Sequence, residues 1–208
     1  MTSTTLPLLP LNAVLFPGGR LRVRILDRHY LDKLLARIST TPTFGVCLLK
    51  RVSANQADSP LPALESIGCQ AQFVNEVGLA EEASGSTLQL QLLGGQRFQL
   101  DALQQSATGV YEAAVRWLGA DPVMTLPARY LPCANLLKRI VLDLEKQPGQ
   151  APLQSPYQFD DASWVSNRLC ELLTLPNPAR QKLMELNDPL VRLSLLDQYL
   201  HQHQILSS

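Results

Sequence analysis

Hydrophobic and polar residues alternate with a period of two through most of the first 126 residues. Leu21, Val23 and Ile25 alternate with Arg20, Arg22 and Arg24, so that segment carries one apolar and one basic face. Ile67, Cys69, Ala71 and Phe73 repeat the pattern, as do Leu88, Leu90 and Leu92, and Tyr111, Ala113, Val115 and Trp117. Successive strand side chains point to opposite faces, so these segments predict half-buried antiparallel strands. The run Phe44-Gly45-Val46-Cys47-Leu48-Leu49 is apolar throughout, as a fully buried strand would be. Gly94-Gly95 predicts a turn before Arg97-Phe98-Gln99-Leu100, and Glu81-Glu82 sits in a predicted hairpin turn. Short strands at this spacing predict a small barrel or sandwich.

One helix interrupts the strands. Tyr30, Leu31, Leu34, Leu35 and Ile38 fall on one helical stripe, and Asp27 stands where it can cap the first free amides. Residues 53–62 have no periodicity and read as a mobile loop. After Leu126 the period becomes helical. Cys133, Leu136, Leu137, Ile140, Val141 and Leu144 form a stripe that Pro148-Gly149 ends. Residues 150–158 read as a linker, after which Asp160 or Asp161 caps a helix carrying Trp164, Val165, Leu169, Leu172 and Leu173. Asn177-Pro178 and Asp188-Pro189 each place a capping residue before proline, and the last helix carries Leu190, Leu193, Leu196 and Leu200. Strands followed by helices give an α+β chain with a strand-rich part over 1–126 and a helical part over 127–208.

Composition narrows the function classes. With 46% hydrophobic and 17% charged residues the chain can bury a core. Its 18 basic and 18 acidic residues cancel, which argues against a dedicated nucleic-acid binder. No stretch reaches the ~18–20 consecutive apolar residues of a membrane span, and the opening Met1-Thr2-Ser3-Thr4-Thr5 lacks the positive charge of a secretory signal. Cys47, Cys69, Cys133 and Cys170 are far apart and set among apolar residues, so they read as buried thiols in a reducing cytoplasm.

The chain carries none of the common catalytic signatures. The chain has no P-loop, no GxGxxG, no GxSxG and no HExxH. His201 and His203 lie two apart, so on a helix they diverge and cannot share a metal. No cofactor or metal site is expected, and no enzyme activity. The uneven feature is charge: Arg20, Arg22, Arg24, Arg28, Lys33, Arg37, Lys50 and Arg51 face only Asp27 and Asp32 over residues 20–51. Arg20, Arg22 and Arg24 share a strand face and form a basic ridge suited to phosphates or acidic peptide segments. The plainer alternative is a row of solvent-facing residues partly paired to acids across the sheet.

The opening Leu6-Pro7-Leu8-Leu9-Pro10-Leu11-Asn12-Ala13-Val14-Leu15-Phe16-Pro17-Gly18-Gly19 resembles the start of the Lon protease N-terminal domain. The likeness continues through the strand at Leu21, the helix behind Asp27, Phe44-Gly45-Val46 and Ile67-Gly68-Cys69-Gln70-Ala71. It ends in Lys182-Leu183-Met184-Glu185-Leu186-Asn187-Asp188-Pro189-Leu190-Val191-Arg192-Leu193, so it spans about residues 6–200. The resemblance implies a PUA-like β pseudobarrel followed by a helical bundle. It also implies the family's substrate-recognition part without the ATPase and Ser–Lys peptidase modules that follow it in full-length members. No catalytic residue carries over, because this domain supplies none in the family.

The expectation is therefore a non-catalytic module binding unfolded or peptide segments of other proteins, with a protease or chaperone as a further partner. Leu15, Phe16 and Tyr30 are the apolar contact candidates, Phe16 and Tyr30 near one barrel mouth, with Arg20, Arg22 and Arg24 meeting acidic segments. For Phe16 and Tyr30 burial in the core is the competing expectation. The alternative function is an RNA-binding PUA-like module using the Arg20–Arg24 ridge; the zero net charge and the lack of interleaved aromatics count against it.

Overall fold

A computed structural model describes residues 4–25, 27–39, 43–50, 61–74, 78–82, 85–146 and 153–206. The loop expected over 53–62 lies largely outside the described residues, as does the helix stop at Pro148-Gly149. The chain divides into two compact units, Met1–Gly119 and Ala120–Ser208, so residues 120–126, read from sequence as part of the strand-rich half, group with the helices.

In the first unit the strands are β1 (Thr4–Leu11), β2 (Arg20–Ile25), β3 (Phe44–Leu48), β4 (Ile67–Phe73), β5 (Gly78–Glu82), β6 (Gly85–Gln105) and β7 (Tyr111–Trp117), with helix α1 (Arg28–Ile38) between β2 and β3. Glu81 and Glu82 end β5, paired to Ser86 and Gly85, rather than forming the turn. β1 pairs with β3 in parallel, and the other pairings are antiparallel. The pairings β1–β3, β3–β4, β4–β6, β6–β7 and β7–β1 close a ring, which is the expected pseudobarrel. Closure removes the edges within that ring, while β2 and β5 each pair with β6 alone.

β6 is one uninterrupted strand, and the expected turn at Gly94-Gly95 is absent. The two glycines serve close approach instead. A side chain on Gly94 would put its Cβ only 2.0 Å from the Phe16 carbonyl oxygen. Lacking one, Gly94 donates its N–H to the Gly19 oxygen at 2.8 Å and accepts from the Gly18 N–H at 2.9 Å. β6 therefore runs directly beneath the Phe16–Gly19 turn.

Alternation along β1 and β3 feeds two cores. Leu6, Leu8, Cys47, Phe98, Ala113 and Val115 pack inside one. Leu9, Leu11, Leu15, Phe44, Val46, Val23, Leu90 and Leu92 form the other, which receives Leu31, Leu34 and Ile38 of α1. Asp27 caps α1, its Oδ1 accepting the Tyr30 N–H at 2.9 Å. Fully burying Leu31 and Leu34 contributes about 1.5–3 kcal/mol each.

The second unit holds α2 (Leu131–Glu145), α3 (Ala162–Leu172), α4 (Asn177–Glu185) and α5 (Pro189–Gln202). α3 packs against the other three, and its buried residues include Ser163, Ser166, Asn167 and Arg168 as well as the expected apolar ones. Asp161 and Asp188 cap α3 and α5 as expected, accepting from Ser163 N–H at 3.0 Å and Leu190 N–H at 2.8 Å. Asn177 is already the first residue of α4, and the cap position falls on Pro176.

Buried polar groups in this unit converge on Arg192, which is 0% exposed. Its Nε donates to the Leu183 oxygen at 3.0 Å and its Nη2 to the Leu186 oxygen at 2.5 Å, satisfying carbonyls at the end of α4. Nη1 donates to Asp121 Oδ2 and to Ser166 Oγ, each at 3.1 Å. Asp121 also accepts from Asn167 Nδ2 at 2.9 Å. One guanidinium thus joins α3, α4, α5 and the segment entering the bundle.

Candidate functional site

β2 carries the expected basic row. Leu21, Val23 and Ile25 point into the core beneath α1, so Arg20, Arg22 and Arg24 stand on the opposite face. Their opposite numbers on β6 are Leu93, Gln91 and Gln89, so no acid lies directly across that ladder. Arg22 and Arg24 are exposed, and Arg20 is half-buried. Arg20 Nε is enclosed without a hydrogen-bond partner. Alternate positions on a strand lie ~7 Å apart along the backbone, so Arg20, Arg22 and Arg24 leave one face of β2 at that spacing.

The three apolar candidates do not join that row. Leu15 is 2% and Phe16 0% exposed, so both are core residues and present no contact surface. The Phe16–Gly19 turn folds back onto β6, and that closure draws Phe16 inward. Tyr30 packs on the α1 side of the sheet, away from the arginine face. Its hydroxyl donates to the Leu8 oxygen at 2.7 Å and accepts from the Tyr111 N–H at 3.1 Å. Its ring stacks on Tyr111 at 5.3 Å between centroids, and burial raises the phenol to about 12. Tyr30 is therefore a strut between α1, β1 and β7.

The second unit contains a pocket that the sequence did not announce. Thr125, Leu126, Leu131, Lys138, Tyr157, Phe159 and Asp160 line a volume of about 380 Å³. Its aromatic wall comes from the segment read as a linker and from the residues just after it. Phe159 meets Trp164 edge to face at 5.1 Å, and Tyr157 meets Phe159 at 5.7 Å. The Tyr157 hydroxyl donates to Glu145 Oε1 at 2.5 Å, fixing the ring. The signal in the sequence is Tyr157, Phe159 and Trp164 within eight residues, an aromatic density that a solvated linker does not need.

Groups with altered acidity have structural surroundings. Burial pushes the thiols of Cys47, Cys133 and Cys170 up to about 12, which suppresses the reactive thiolate. Burial also raises the Glu171 carboxyl to about 7, against the lowering pull of Arg168 and Arg180. Its Oε2 lies 2.8 Å from Arg168 Nε. No group of three metal-ligating side chains occurs among the described residues, and no helix there is long and apolar enough to cross a membrane.

A family model described as the ATP-dependent protease La (LON) substrate-binding domain matches residues 5–202. Among solved structures the chain is similar to the Lon N-terminal domain protein from Xanthomonas campestris, with 29% identity and a TM-score of 0.68 over 94% of this chain and 98% of that one. It shares its fold with the N-terminal domain of the Mycobacterium avium complex Lon protease, at 17% identity and a TM-score of 0.64 over 96% of this chain and all of the other. No curated protein matches the chain.

Proposed function

The chain belongs to the ATP-dependent protease La (LON) substrate-binding domain family, and from that premise we propose that it is a non-catalytic module binding unfolded or extended segments of other proteins. The observation that carries this is the match over residues 5–202, which takes in both units. Arg20, Arg22 and Arg24 support an acidic character in the bound segment. They line up on one face of β2, and the Arg20 Nε is enclosed without a hydrogen-bond partner. Unfolded segments expose both backbone and side chains that native proteins hide, and a strand face with regularly spaced charges reads such a segment at alternate positions. The four free, buried cysteines suit a reducing compartment, consistent with work in the cytoplasm.

The test is retention on the immobilised chain. A protein held unfolded by reduction and neutral alkylation is retained, while its native form passes through. Arg22→Glu together with Arg24→Glu weakens retention of acidic unfolded chains. Retention of single-stranded RNA that falls steeply with salt and disappears in the same double variant assigns the row to nucleic acid instead.

A further inference from the structure

We propose that the pocket on the helical unit seats one large apolar or aromatic side chain of an extended protein segment, with a carboxylate on the next residue of that segment held by Lys138. This rests on the reading of the chain as a binder of protein segments, but it concerns a surface other than the arginine row. The pocket is built before any ligand arrives. Residues 124–126 lie alongside 160–162, with Leu126 N–H donating to the Asp160 oxygen and Ala162 N–H to the Met124 oxygen, both at 2.7 Å. Thr125 forms a bridge with Asp161, whose Oδ1 also accepts from the Met124 N–H at 3.2 Å. Together with the Tyr157–Glu145 bond, these contacts hold the walls in place, so little ordering is lost on binding.

The lining states the chemistry of the occupant. Leu131 is 51% exposed on the first turn of α2. With Leu126, Tyr157 and Phe159 it makes an apolar surface, and about 380 Å³ lies at the lower end of small-ligand sites, suited to one large side chain. The charge beside it is unbalanced. Lys138 Nζ lies 5.3 Å from the centre of the Phe159 ring, and no carboxylate comes within ion-pair reach of it among the described residues. Lys138 sits in the middle of α2, where the helix dipole gives it no compensation, whereas Asp160 lies next to the positive N-terminus of α3, which does compensate it. The uncompensated charge is the cation, so the segment that fits supplies a carboxylate beside its apolar anchor.

The experiment titrates the full chain with two blocked tripeptides, glycine–phenylalanine–glutamate and glycine–phenylalanine–lysine, following backbone amide shifts. Saturable shifts confined to residues 124–126, 131–138 and 157–160 are expected, with the glutamate peptide bound about threefold tighter. Lys138→Gln removes that preference and keeps the shifts. Leu131→Ser, at an exposed position that leaves the fold intact, weakens both peptides. The absence of saturable shifts at these residues, or equal affinity for both peptides, overturns the proposal. Retention of unfolded protein that persists while the pocket shows no shifts sinks the pocket alone, and loss of that retention in Arg22→Glu/Arg24→Glu with the shifts intact leaves the pocket standing.

Discussion

The Tyr30 hydroxyl donates to the Leu8 carbonyl oxygen at 2.7 Å, tying helix α1 to strand β1 across 22 positions of sequence. The Tyr30 hydroxyl oxygen in turn accepts the Tyr111 N–H at 3.1 Å, so one phenol serves two strands. Tyr30→Phe keeps the ring stack and removes both bonds. Its expected effect is a loss of about 1–2 kcal/mol, read as a lower denaturant midpoint at unchanged slope, with retention of unfolded protein unaffected. Lost retention without lost stability would make Tyr30 a contact residue after all.

Phe98 fills the barrel interior because Gly45 leaves it room. A Cβ on Gly45 would lie 2.6 Å from Phe98 Cζ, 2.7 Å from Leu8 Cδ2 and 2.9 Å from Leu6 Cδ2. Gly45→Ala is expected to destabilise by about 1–3 kcal/mol through overpacking. All three obstacles are side chains, so Phe98→Leu in the same chain recovers part of the loss. A double-mutant cycle by denaturant unfolding checks this, and strict additivity of the two changes would refute it.

Arg192 and Asp121 form a buried pair, 0% and 7% exposed at their side chains. Arg192→Met preserves much of the volume but takes the buried counter-ion from the Asp121 carboxylate and one donor each from the carbonyls of Leu183 and Leu186. A loss of about 3–5 kcal/mol in the helical unit is expected. Adding Asp121→Asn restores part of it, because a buried charge that has lost its counter-ion is the costliest remnant. Far-UV circular dichroism against denaturant, dominated by the helices, measures both.

Glu171 makes stability fall as pH rises. Its native carboxyl lies near 7 against an ordinary 4.5, chiefly through burial, so between those values the native chain holds a proton that the unfolded chain has released. The contribution is complete below about 4.5 and lost as pH rises through 7, with a magnitude of about 3 kcal/mol. Glu171→Gln is expected to flatten the stability profile across that window. A profile equally steep in the variant would assign the slope to other groups.

The strands and helices were legible because each buries one face, so their periods are written in Val23, Leu31 or Leu193 and their caps in Asp27, Asp161 and Asp188. Three features were hidden for physical reasons. Gly94-Gly95 reads as a turn in any single segment, and only the Phe16 backbone overhead shows that the glycines answer to a close approach. The arginine in Asp188-Pro189-Leu190-Val191-Arg192 looks like a solvated helix residue until α3 and α4 arrive around it. The pocket needs Phe159 set against Leu131 and Lys138 of α2, a meeting that folding makes and local spacing does not show. Of the candidate binding residues, the row Arg20, Arg22 and Arg24 was readable because alternation alone sets a strand face. Leu15 and Phe16 were not, because nothing local distinguishes an apolar residue at a barrel mouth from one tucked under a turn.

Calorimetric titration of the full chain with one protein in two states, native and held unfolded by neutral alkylation, probes the proposed activity most directly. Saturable heat with the unfolded state and none with the native state is predicted. No binding to the unfolded state, or equal binding to both, would contradict it.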